Sequence, residues 1–109
     1  MPNAKFIGSF YYKRTETGNL IGAYNNNKTT EILPEFATPT EPVSGFEGRY
    51  VSNWMDGENR TATLEITRED QRFHIRWRNT RPQPYDYEGW GFIVDSMLIG
   101  CYYNLPAAD

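Results

Sequence analysis

A five-residue pattern recurs along this chain: apolar, any residue, glycine, any residue, aromatic. It appears as Phe6-Ile7-Gly8-Ser9-Phe10, Leu20-Ile21-Gly22-Ala23-Tyr24, Phe46-Glu47-Gly48-Arg49-Tyr50 and Leu98-Ile99-Gly100-Cys101-Tyr102. A relaxed copy, Tyr87-Glu88-Gly89-Trp90-Gly91, precedes the last one. In an extended chain, residues two apart share a face, so each copy sets an apolar residue, a glycine and an aromatic ring on one side. Glycine weakens an ordinary strand, and its repeated use implies sharp bending or close backbone approach. The pattern therefore predicts a small sheet that curls into a barrel.

Order along the chain supports this. Strands are expected at about 5–13, 20–25, 28–33, 46–55, 60–67, 72–78, 87–94 and 97–104. Turns rich in Gly, Asn and Asp join most of them, at 15–19, 25–27, 56–59, 68–71 and 95–96. The segments 60–67 and 72–78 alternate apolar and polar residues cleanly, as an antiparallel strand with one wet face does. Two stretches are irregular. The first, 34–45, holds three prolines and is expected to exclude a helix or central strand. It reads as a crossing connection or as a lid over the barrel mouth. The second, 79–86, carries Pro82 and Pro84. No window shows helical periodicity over ten or more positions. The expectation is one all-β domain, 1–109, an up-and-down antiparallel barrel of about eight strands.

Taken together, the Gly-x-aromatic starts at Gly8-Ser9-Phe10 and Gly48-Arg49-Tyr50, with the strand-turn-strand run from Phe46 through Trp77, resemble the calycin group of avidin and lipocalin barrels. That resemblance implies a barrel with one closed end and one open end where a small ligand sits. It carries no biotin contact over to this chain.

The face turned inward is expected to hold Phe6, Phe10, Tyr12, Leu20, Tyr24, Ile32, Phe46, Tyr50, Trp54, Leu64, Ile66, Phe73, Ile75, Trp77, Tyr87, Leu98 and Tyr102. Side chains this large fill a small barrel by themselves, and that is the simplest account of them. The functional account is an aromatic-lined pocket with a few polar anchors. Its candidate ligand-binding residues are Tyr12, Tyr24, Tyr50, Ser52, Trp54, Trp77, Tyr87, Tyr102 and Asn104.

On the opposite face, Trp90, Phe92, Ile99 and Tyr103 come from adjacent strands and would form an outward apolar patch. Such patches mark partner contacts, here a homodimer or a docked protein. Arg72, His74, Arg76 and Arg78 make a basic stretch, but the chain carries a net charge of −3. A solvated face with cross-strand ion pairs, Glu65 among them, accounts for it better than nucleic-acid binding. His74 is the only histidine and lacks neighbours that would make a metal site. No catalytic motif, cofactor or metal is expected. The single Cys101 allows no internal disulfide, and no apolar run is long enough to span a membrane. The reading is a non-catalytic, cytoplasmic binding module for a small, partly apolar or aromatic ligand, with an interaction module as the alternative. A secreted protein after processing would read the same.

Overall fold

The computed structural model describes residues 6–55, 58–80 and 85–106. Eight strands follow one another: β1 (Ile7–Arg14), β2 (Leu20–Asn26), β3 (Leu33–Pro39), β4 (Gly48–Met55), β5 (Asn59–Glu69), β6 (Arg72–Asn79), β7 (Tyr85–Val94) and β8 (Met97–Pro106). Each pairs antiparallel with the next, and β8 returns to β1, closing the barrel. The expected all-β, up-and-down barrel is therefore the observed fold. Among the described residues no helix is long and apolar enough to cross a membrane.

The period-two pattern sorts the two faces. Tyr12, Tyr50, Leu20, Leu64, Ile66, Ile75 and Leu98 are fully buried inside. Phe10, Tyr24, Phe73, Trp77 and Tyr102 join them, and Ala37 and Ala62 fill the space between larger rings. The repeated glycines serve close packing. Gly22 lies between Tyr12 and Glu35 in the strand register. A Cβ there would strike the Tyr11 carbonyl oxygen and come within 2.9 Å of the Tyr12 ring. The two-residue turn Asp95-Ser96 has positive φ at both positions, 50° and 65°, which matches the twist of a tight hairpin.

One expected strand is misplaced. The stretch 28–33 is not the third strand; β3 begins at Leu33 and runs through Pro34 to Pro39. Ile32, expected inside, is 75% exposed. The prolines permit this because each has a register partner on one side only. Pro34 faces Ala23 of β2 just before β4 joins, and Pro39 faces Tyr50 of β4 after β2 has ended. Proline is tolerated where a strand lacks one neighbour.

The rest of the proline-rich stretch closes one end of the barrel. Val43 and Phe46 pack on the core. The Tyr50 hydroxyl donates to the Phe46 carbonyl at 2.8 Å, and Arg14 Nη2 donates to the Val43 carbonyl at 3.1 Å. The Phe46 ring meets Phe73 edge-on, centroids 6.4 Å apart. The connection thus crosses the sealed end and is no lid over a mouth. The expected turn at Asp56-Gly57, the loop residues 81–84, the start of the first strand at Lys5 and the tail 107–109 lie outside the described residues.

Candidate functional site

Glu35 is the residue that sequence reasoning missed. It was placed in an irregular connection, yet β3 turns it into the barrel, where it is 4% exposed. Three donors from three strands converge on one of its oxygens. The Tyr12 hydroxyl and Ser52 Oγ each donate to Oε2 at 2.5 Å, and Trp77 Nε1 donates to the same atom at 2.9 Å. The Trp77 N–H is shared with the Tyr12 hydroxyl oxygen at 3.0 Å. A buried carboxyl requires such partners, since even an amide or hydroxyl left unbonded away from water costs roughly 2–7 kcal/mol, and a carboxylate more. Burial pushes the Glu35 carboxyl above its ordinary range, and the bonds from Ser52, Tyr12 and Trp77 offset part of that rise. Burial and the adjacent Glu35 likewise hold the Tyr12 phenol well above its usual value, so it remains a donor.

Glu35 also lines a cavity of about 50 Å³, measured as space open to the centre of a water molecule. That is several times what one water needs, at roughly 10–15 Å³. It is a cup rather than a hollow barrel. Its deeper wall is Phe10, Tyr24, Trp77 and Tyr102; its rim is Phe6, Asn26, Trp54 and Tyr87, all partly exposed. Tyr102 is the hub of the rings. Its centroid lies 5.8 Å from Trp77, 5.9 Å from Tyr87 and 6.3 Å from Tyr24, with interplanar angles of 60–78°. Edge-to-face contacts of this kind fix ring orientation as well as adding contact energy. Asn26 Nδ2 donates to the Tyr102 hydroxyl at 2.9 Å. The Phe6 N–H donates to Asn104 Oδ1 at 2.7 Å, which sets the start of β1 so that the Phe6 ring meets Tyr87.

Of the nine residues expected to bind a ligand, the structure gathers Tyr24, Trp54, Trp77, Tyr87 and Tyr102 around this cup. Tyr12 and Ser52 sit behind it as partners of Glu35, and Asn104 anchors Phe6. Tyr50 is apart, holding the sealed end. Phe6, Phe10 and Asn26 join the lining without having been singled out as ligand contacts. The available signal for Glu35 was the alternation Leu33-Glu35-Ala37 against Pro34-Phe36-Thr38, which the two prolines obscured.

The outer wall is differently organised. Glu88 of β7 accepts from the Tyr103 hydroxyl and meets His74 Nε2 at 2.8 Å. The Tyr103 bond holds the Glu88 carboxyl below its ordinary range, aided by His74 and Arg76 and opposed by partial burial. The same contact raises the Tyr103 phenol. Trp90 is half buried, its ring tilted 54° against His74 with centroids 4.7 Å apart, and capped by the Arg72 guanidinium at 4.5 Å. Arg49 pairs with Glu65 at 3.1 Å. The basic stretch is thus part of a mixed-charge surface. Phe92, 56% exposed, and Ile99 face outward beside it. Among the described residues no group of three or more His, Cys, Asp or Glu could hold a metal ion. No protein-family model, no curated protein and no solved structure matches this chain.

Proposed function

We propose that this protein is a non-catalytic binding module that takes one small, partly apolar group into the cup of its barrel. The observation that carries the reading is the pairing of a ring-lined cavity with a single buried carboxyl, Glu35. Small-ligand sites combine a mostly apolar wall with a few placed polar groups in this way. One sealed end and one cupped end is also the arrangement expected from the likeness to avidin and lipocalin barrels. The cup is small, so a ligand's head group enters while any remainder stays at the rim. Trp54 and Trp77 line the cavity and supply the readout. Small aromatic and aliphatic compounds titrated against intrinsic Trp fluorescence and thermal midpoint should give saturable changes in both. Uniform silence across the panel would reject the reading.

A second reading rests on the outer wall. Phe92, Ile99, Tyr11, Ala23 and Pro34 are register neighbours on β7, β8, β1, β2 and β3, forming one transverse apolar row. Ile21 and Phe36, both exposed, pair in the next row. Ala23 is itself covered, 8% exposed, between exposed Tyr11 and Pro34; an outer apolar row of this kind favours contact with a second copy or a partner protein. Sedimentation velocity over a wide concentration range tests self-association.

A further inference from the structure

The shape and polarity of the cup go further than size. All three hydrogen bonds to Glu35 converge on Oε2. Oε1 accepts none from any described residue, while the side chain lines the cavity. The carboxyl therefore presents one unused acceptor to whatever enters. Among the described residues, no Lys, Arg or His lines the cup. The rings that line it carry electronegative π-faces, which attract a cation. An anion entering the cup would meet a carboxyl, with no cation among the described lining residues to offset it. A neutral apolar group would leave Oε1 unbonded in a dry site. A protonated amine satisfies both: it donates to Oε1, and its charge is attracted by the carboxylate and by ring faces.

We propose that the cup binds the ammonium group of a small organic amine, with Glu35 as its counter-ion and the Trp54 and Trp77 rings as its wall. This rests on the cup being the binding site. The charge pairing gives the binding a pH signature. Among the described residues, the other titratable groups around Glu35 and the cup are phenols: Tyr12 of β1, Tyr24 of β2, Tyr87 of β7 and Tyr102 of β8. Ser52 and Trp54 of β4 and Trp77 of β6 do not titrate. Among the described lining residues, Glu35 is the one carboxyl. Its raised value means that acid protonates it early, so amine affinity falls as pH is lowered through its titration.

The test compares butylammonium, butanol and butanoate, which share an alkyl length and differ in charge. Binding is followed by the indole N–H resonance of Trp77, the proton donated to Glu35. Butylammonium is expected to bind about tenfold more tightly than butanol or better, and butanoate more weakly than either. Lowering the pH should weaken butylammonium and leave butanol unchanged. Glu35→Gln should abolish the preference for the amine, and Trp54→Leu should weaken the amine several-fold more than the alcohol. If Glu35→Gln does not fold, the pH series on the native protein makes the same distinction. Butanol binding as tightly as butylammonium, or an amine preference indifferent to pH, overturns the ammonium assignment and leaves the pocket reading standing. Failure of all three probes to move the Trp77 resonance overturns both.

Discussion

Two glutamates, one facing into the barrel from β3 and one facing out from β7, have similar partners and behave in opposite ways. Glu35, inside, accepts from the Tyr12 hydroxyl and from a ring nitrogen of Trp77. Glu88, outside, accepts from the Tyr103 hydroxyl and meets a ring nitrogen of His74. Yet Glu35 is raised, with burial as the leading cause, and Glu88 is lowered, with the Tyr103 bond leading. The partners explain the rest. An indole N–H cannot take up a charge, whereas His74 can, and Arg76 adds a permanent one nearby. Hydrogen bonds that tune a carboxylate in water's reach cannot by themselves offset full desolvation.

The largest way to break this contrast is to remove the room the interior needs. Gly22→Val would drive a side chain into the Tyr11 carbonyl and the Tyr12 ring, displacing Tyr12 from Glu35. A loss of about 3 kcal/mol or more is expected in urea unfolding, as for overpacked cores. Cys101→Val, on an exposed outer position, should change stability by less than about 0.5 kcal/mol.

Deleting one hydroxyl on each side is the next largest effect. Tyr12→Phe removes a donor from a buried carboxyl and an acceptor from the Trp77 N–H, costing about 1–3 kcal/mol. Tyr103→Phe acts at a partly solvated site and should cost less than about 1 kcal/mol. Equal losses would mean that burial is not what separates the two glutamates.

The pH dependence should have opposite slopes. Both glutamates start from an ordinary value of 4.5. Because the folded value of Glu35 lies above the unfolded one, the unfolded chain holds fewer protons between the two. Its stabilising contribution is complete below the unfolded value and is lost as pH rises through the folded value. Because the folded value of Glu88 lies below, its contribution is complete above the unfolded value and is lost as pH falls through the folded one. Glu35→Gln should therefore flatten the decline toward neutral pH, and Glu88→Gln should flatten the decline in acid. Chemical denaturation across the pH range reads both.

As small an effect on stability as that of Cys101→Val is expected from Phe92→Ser, within about 0.5 kcal/mol, since more than half of that residue is in solvent. If the outer row docks a second copy, the same change should abolish concentration-dependent sedimentation. Persistent association would move the contact elsewhere.

Much of the fold was legible in the residues. The spacing of Gly8, Gly22 and Gly100 with their aromatics placed Phe10, Tyr24 and Tyr102 inside, where they are. The alternation from Ala62 to Ile66 and from Phe73 to Trp77 gave β5 and β6 their faces. The third strand was not legible, because Pro34 and Pro39 are compatible with a strand only where a neighbour is missing. That depends on how far β2 and β4 extend, a property of their pairing and not of the local sequence. Displacing that strand hid Glu35, and with it the polar centre of the site. The aromatic wall could be listed in advance, but its split between lining and support could not. Tyr12 and Ser52 became supports because β3 brought a carboxyl to them.

What the sequence determined by itself was periodicity: which residues share a face, where turns fall, and that glycines let a ribbon of aromatics close. These follow from local backbone geometry, which each short segment carries independently of the others. What only the tertiary structure decided was register across the barrel. It joined Tyr12, Glu35, Ser52 and Trp77 from four strands into one buried network, and it set Glu35 against a small ring-lined cup. Closure fixes that meeting, because the position of each strand depends on all the others around the ring.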